Sequence, residues 1–386
     1  MLGTSRNAHR LQNIFPEIGP ATAFTLYGDF SRLPIVVTDS NWQAESKTIV
    51  SQGLAGVALR GIRSGSFAVQ QSVIDEFSDA QFTDMASTSR VIKQSQDGLD
   101  CLRSASIPYV ITKGAGIGLQ CATVSDRPFM DIDVLVNPSD FKRALITLRA
   151  NGYRERNQTM QTRDWFNRFC REAINLRSPN GGSIDLHHRI SPWFWSKGIA
   201  FERLNGRSKT DRIFGTDLLI VSPADNLMIA ALHVVSDKSR PGQTIRAWRD
   251  LLILVDKCSI DEVVRSARET GLTAWLAWIL GCFPENVRPN ELIEVLEIGN
   301  PKLDGIHRLR SILPPRIASR HPMVGRVFRL PLLNALLFVV GLFFPSREYL
   351  QIRYPDRSHS YLTWWRDSLP RFKEEARTNR EALDYS

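Results

Sequence analysis

Residues Met130–Val136, MDIDVLV, alternate polar and apolar side chains with a period of two, the pattern of a half-buried strand. The alternation constrains the rest of the chain. It puts the carboxylates of Asp131 and Asp133 on one face and Ile132 and Val134 on the other. A strand also needs neighbours, and three runs can supply them: IPYVIT over residues 107–112, and residues 171–178 and 183–190. The last two are joined by Pro179-Asn180-Gly181-Gly182, a hairpin signal. In the second of them Asp185 and His187 share one face, and Ile184 and Leu186 the other.

Helical text surrounds these strands. Between about residues 46 and 105 apolar positions recur at three and four, as in Val91, Ile92, Leu99 and Leu102. Asn137-Pro138-Ser139-Asp140 opens a helix over FKRALITLRANGY, with Ser139 or Asp140 as N-cap and Gly152 as terminator. Ser222-Pro223 opens another, and helical text runs to about residue 300. This order predicts an α+β fold: a small mixed sheet with N-terminal helices and a C-terminal helical region. Four stretches are expected: an irregular segment over 1–45, a core with its preceding helices over 46–220, a helical bundle over 221–300, and a basic, partly apolar region over 301–386.

Composition narrows the class. With 43% hydrophobic and 23% charged residues in 386, the chain is not disordered, collagenous or a disulfide scaffold. Its five cysteines are scattered, without a C-x-x-C pair, so neither a disulfide framework nor a zinc knuckle is expected. The first 20 residues lack the apolar core of a signal peptide, and a cytoplasmic location is the expectation. Most of the net charge of +9 sits late: residues 301–386 hold 15 Lys+Arg against 8 Asp+Glu.

Two carboxylates side by side repel in water and are comfortable around a hard divalent cation. One D-x-D pair is weak evidence, and a polar strand face is its plain alternative. Three neighbours add weight. Lys113-Gly114-Ala115 lies at a strand-to-helix junction 18 residues before Asp131, where small residues let backbone N–H groups approach a phosphate. Arg127 stands in the loop leading into the strand, able to pair with Asp131 or a phosphate. Asp185 supplies a third carboxylate, as a two-metal site for phosphoryl or nucleotidyl transfer requires. Gly114, Gly116 and Gly118 do not make a dinucleotide fingerprint, because position 119 is Leu. The plain readings are a solvated charge for Lys113, a loop salt bridge for Arg127 and a structural role for His187. Arg246 and Asp250, four apart on a helix, read as a surface or packing pair.

The stretch KGAGIGLQCATVSDRPFMDIDVLV resembles the signature of the uncharacterised nucleotidyltransferase family, a branch of the DNA polymerase β-like nucleotidyltransferase superfamily. Lys113-Gly114, Arg127, Asp131-Ile132-Asp133 and Ile184-Asp185-Leu186-His187 stand in matching order. Pro223-Ala224-Asp225, Leu232-His233, Arg246–Leu251 and Arg353-Tyr354-Pro355 extend the likeness over roughly residues 85–360. The resemblance implies a nucleotidyltransferase core in which Asp131, Asp133 and Asp185 hold Mg²⁺ or Mn²⁺, Asp185 being ligand or base. An NTP would be the substrate, held by Lys113, Gly114, Ala115 and Arg127, with His187 as an accessory residue. The chain departs from the superfamily at the turn, where Ala115 replaces the usual Ser.

The activity so implied is transfer of an NMP to a hydroxyl of a small-molecule, protein or RNA acceptor. The alternatives are a non-catalytic nucleotide-binding or scaffold protein on the same fold and a toxin-like enzyme acting on tRNA. Residues 305–345 raise a separate question. Residues 305–330 contain six arginines and no acid, and 13 residues that are apolar except for Asn334 lie between Pro331 and Pro345. The second run is shorter than the roughly 20 residues of a membrane-spanning helix. A core helix, a protein-docking surface and a peripheral membrane contact are the readings of this region.

Overall fold

A computed structural model of the chain describes residues 17–66, 69–155, 164–190, 199–236, 245–298, 332–353, 361–368 and 370. Among the described residues seven strands make one mixed sheet: β1 (Tyr109–Thr112), β2 (Ile132–Val136), β3 (Arg154–Glu155), β4 (Ala173–Arg177), β5 (Ser183–His187), β6 (Lys209–Ile213) and β7 (Thr216–Ile220). Their order across the sheet is β3-β4-β5-β2-β1-β7-β6. β2 runs antiparallel to β1 but parallel to β5, and β1 runs parallel to β7. The fold is α+β, as the order of elements predicts.

Helices precede the sheet: α1 (Pro20–Tyr27), α2 (Asp39–Ser51), α3 (Ala55–Gly61) and the 34-residue α4 (Gln71–Ser104). The next elements are the short α5 (Gly114–Gly118), α6 (Phe141–Ala150), α7 (Asp164–Cys170) and α8 (Phe201–Arg207). A helical group follows: α9 (Pro223–Ser236), α10 (Ile245–Asp256), α11 (Ile260–Thr270), α12 (Thr273–Leu280) and α13 (Asn290–Glu297). Last come α14 (Leu332–Phe343) and α15 (Arg347–Arg353).

The alternation in β2 separates two cores. Ile132, Val134 and Val136 join Ile111, Ile184 and Leu186 against α4 and α6. Val110 and Leu135, on the other face, join a larger cluster that unites α1–α4 with α9–α13. The hairpin between β4 and β5 tucks under α4. At Gly182 an added Cβ would stand 2.2 Å from the Gln94 carbonyl oxygen, so only glycine fits. Ser95 Oγ fixes that contact, donating to Ser183 O at 3.3 Å and accepting from Ser183 N at 3.1 Å.

One expectation needs correction. Residues 20–27 and 39–45 are helical, not irregular. Pro20 opens α1, and the Glu45 carboxylate, from α2, accepts from Ala21 N at 3.2 Å and Thr22 N at 2.8 Å. That cap comes from another helix, so a local reading of eight residues misses it. The β6–β7 hairpin is also absent from the sequence reading. β6 is exposed at four of its five positions and so lacks an apolar alternation, and its turn is signalled only by Phe214-Gly215, both with positive φ. Residues 305–330, with their arginines, lie outside the described residues.

Candidate active site

The site forms on the sheet face opposite α4. Parallel pairing sets Asp133 beside Asp185 and Leu135 beside His187, while antiparallel pairing sets Thr112 beside Asp133. Paired residues point to the same face, so Thr112, Asp133, Asp185 and His187 converge. Ligand atoms of Asp133, Asp185 and His187 lie within 4.8 Å of one another. Asp131 sits one residue before β2 and adds its negative charge to the same group.

Lys113 closes the cluster. Its Nζ donates to Asp133 Oδ1 at 2.9 Å and lies 3.3 Å from His187 Nε2. His187 Nε2 stands 3.0 Å from Asp133 Oδ1 and 3.2 Å from Asp185 Oδ2. The backbone of Lys113 is left-handed, with φ +51° and ψ −122°, a conformation that costs a non-glycine residue about 1–3 kcal/mol. Asn226, in the first turn of α9, holds it there. Lys113 N donates to Asn226 Oδ1 at 2.8 Å, and Asn226 Nδ2 donates to Lys113 O at 3.4 Å. Helix α9 thereby fixes the residue that points the ammonium at the carboxylates.

The electrostatics follow from burial and charge count. Burial and repulsion from Asp133 and Asp185 push the Asp131 carboxyl up to about 6, although Lys113 and His187 pull the other way. Burial acts against the charged form of Asp133 too, but the ammonium of Lys113 and hydrogen bonding from His187 overcome it and hold that carboxyl well below its usual range. Burial and Lys113 oppose protonation of His187; Asp185 and Asp133 outweigh them and raise the imidazole to about 9. At neutral pH without ligand, a protonated His187 therefore donates to the carboxylates.

Three buried polar atoms here, Asp185 Oδ1, His187 Nδ1 and Thr112 Oγ1, have no hydrogen-bond partner among the described residues. An acidic cluster with spare oxygens fits a hard divalent cation. Asp133, Asp185 and His187 could hold it, whereas Asp131, the expected third carboxylate, stands outside the group whose ligand atoms converge.

The other expected contacts are distributed differently. Arg127 is a buried structural cation, not a loop group open to phosphate. Its Nε and Nη2 donate to Asp250 at 2.6 and 2.9 Å, and its Nη1 to Pro128 O at 2.7 Å. Asp250 accordingly pairs across the fold with Arg127 and not within its own helix with Arg246. Gly114 and Ala115 are buried, with Gly114 packed on Phe129. Sequence reasoning missed Asn226 as the clamp and Arg246 as a neighbour of the site. Arg246 donates to Pro128 O at 3.2 Å and feels the charges of Asp84 and Asp131. Arg246 and Asp250 do lie in the stretch that carries the family resemblance.

The mixed sheet thus presents acidic residues in register on two parallel strands, beside a strand-to-helix turn. The chain belongs to the uncharacterised nucleotidyltransferase family, whose profile matches residues 38–287. No curated protein matches the chain. Among solved structures, the chain is similar to an antigenic nucleotidyltransferase-like protein from Paracoccidioides brasiliensis, at 15% identity and a TM-score of 0.31, over 50% of this chain and 92% of that one.

Proposed function

We propose that the chain is a metal-dependent nucleotidyltransferase that moves an NMP from an NTP to a hydroxyl of an acceptor and releases pyrophosphate. The observation that carries this reading is the register of Asp133 with Asp185, which gathers their carboxylates with His187 on one face beside Lys113. Asp133 and Asp185, with Asp131 alongside, would hold the cation. Mg²⁺ or Mn²⁺ bound there supplies Lewis-acid polarisation of the phosphate and stabilises charge on the attacking and leaving oxygens.

The protein's own groups do the rest. The Asp185 carboxylate takes the proton of the acceptor hydroxyl as the hydroxyl oxygen bonds to the α-phosphorus. The bond from that phosphorus to the bridging oxygen breaks, and pyrophosphate leaves with its charge offset by Lys113. Asn226 keeps the ammonium in place, and His187 orients Asp185. Phosphate contact falls to Lys113, without Arg127, and the buried Gly114-Ala115 turn has only backbone N–H groups to offer.

The test compares NTPs labelled at the α- and γ-phosphates, with Mg²⁺ or Mn²⁺ and with cell extract as the source of acceptor. Label should transfer from the α position only. Asp133→Asn and Asp185→Asn should each reduce transfer by at least about 100-fold, since changes even to groups behind metal ligands cost 10–100-fold. Undiminished transfer in both variants would overturn the reading. A second reading, NTP binding without turnover, draws on the ion pair that Lys113 already makes with Asp133. It predicts nucleotide binding by the wild type and no label transfer with any extract.

A further inference from the structure

The outer face of α14 is a continuous apolar surface. Leu332, Leu336 and Val340 are 80%, 57% and 46% exposed, and Leu333, Phe343 and Phe344 beside them are also exposed. At 100° per residue these six positions fall within roughly 120° of the helix circumference. The opposite face is the one that packs. Phe338 stacks on Phe166 of α7 at 5.8 Å, Cys170 Sγ donates to Asn334 O at 3.7 Å, and Asn334 Nδ2 donates to Phe169 O. The helix is therefore not a core helix buried all round. It is anchored on one side and apolar on the other.

Two features identify what the open side meets. Its C-terminal end is bordered by aromatic rings with polar tips. Trp365 Nε1 donates to Phe343 O at 2.8 Å, its ring lies 4.9 Å from that of Phe343, and the ring of Tyr361 lies 5.6 Å from that of Phe344. Arg347 beside them is exposed, and so is Arg366, which pairs with Asp367 at 3.3 Å. Rings of this kind, apolar in body and wet at one end, settle at the boundary between lipid and water. At its N-terminal end the helix follows residues 299–331, whose sequence carries Lys302 and six arginines against the single acid Asp304. A helix of 12 residues is about 18 Å long, too short to cross a bilayer core of about 30 Å.

We propose that the outer face of α14 lies in the surface of an anionic lipid bilayer. Leu332, Leu336 and Val340 enter the acyl boundary. The aromatic rim sits at the headgroups, and the basic segment upstream is drawn to lipid phosphate and carboxylate. Apolar insertion and charge attraction are both needed, as for other helices that lie in the interface plane.

The test uses the purified full chain and sedimentation with vesicles of phosphatidylcholine alone or with about 30% phosphatidylserine. The protein should pellet with the anionic vesicles, weakly with the neutral ones, and less as salt rises. Leu336→Asp with Val340→Asp should lower partitioning at least about tenfold, because two inserted side chains are lost. Circular dichroism should show the variant folded; if it does not, Leu332→Ser with Leu333→Ser serves in its place. Absence of pelleting with anionic vesicles would overturn the proposal. So would pelleting unchanged by the substitutions, or a dimer in light scattering that the same substitutions dissolve, which would assign the face to a second copy of the chain.

Discussion

Two ionic clusters lie close together in this fold, and they are built on opposite principles. In the first, around α10, Arg60 joins Asp29 to Asp126, Arg249 also meets Asp29, and Arg127 pairs with Asp250, with Arg246 alongside Arg127. Both oxygens of Asp29 accept, from Arg60 at 3.1 and 2.8 Å and from Arg249 at 2.5 Å, and every nitrogen of the Arg127 guanidinium donates. In the second, Asp131, Asp133 and Asp185 face Lys113 and a titratable His187, and buried atoms of Asp185, His187 and Thr112 are left without partners among the described residues. The first cluster gives each of its three carboxylates an arginine partner and ties elements together, with only Arg249 Nε left without a partner among the described residues. The second leaves the carboxylate oxygen Asp185 Oδ1 without a donor, which costs stability and suits a cation supplied from outside.

The contrast can be broken by substitution, and the largest stability effect belongs to the balanced cluster. Asp250→Ala leaves the Arg127 guanidinium buried and unpaired, which should cost about 3–5 kcal/mol in urea unfolding. Replacing the pair together, Arg127→Met with Asp250→Leu, should recover most of that loss. A double variant as unstable as the single one would show that the pair does more than balance charge.

In the acidic cluster a substitution should act in the opposite direction. The folded-state pKa of Asp131 is raised from 3.8 to about 6, so its contribution to stability is present below pH 3.8 and lost as pH rises through 6. Above that range an ionised Asp131 opposes folding. Asp131→Asn should therefore raise the stability of the ligand-free protein by roughly 1–3 kcal/mol at pH 7.5 while lowering activity. The gain should vanish near pH 4. Thermal melts at the two pH values measure it, and a loss of stability at pH 7.5 would mean that the cluster is not strained by its own charge.

The smallest effect is expected at the clamp. Asn226→Ala removes both hydrogen bonds to the Lys113 backbone and should cost about 1–2 kcal/mol, with a greater effect on turnover than on folding. The same loss of stability without a change in turnover would make Asn226 a packing residue only.

The sequence makes one half of this site legible and hides the other. The strand with Asp133 can be read because alternation is a local pattern, although it starts at Ile132 and leaves Asp131 just before it, and the Pro179–Gly182 turn marks the hairpin that delivers Asp185 and His187. Both faces of those strands follow from parity alone. The pairing of β2 with β5 is different: parallel strands share no turn, and their register is set by packing on α4. Distance in sequence hides the remaining partners. Asn226 grips Lys113 from 113 positions away, and Asp250 meets Arg127 across 123. Arg127 illustrates the cost of reading locally. An arginine before an acidic strand looks like a phosphate ligand until a buried carboxylate on α10 claims it. Helix α1 fails for the same reason, because its cap is Glu45 of α2.

The central claim, that the acid-rich cluster is a metal centre and the balanced cluster is scaffold, is tested most directly by Mn²⁺ titration followed by electron paramagnetic resonance. The wild type should bind Mn²⁺ saturably. Asp133→Asn and Asp185→Asn should each abolish that binding, and Asp29→Asn, in the balanced cluster, should leave it unchanged. Mn²⁺ binding that survives in both site variants would contradict the account.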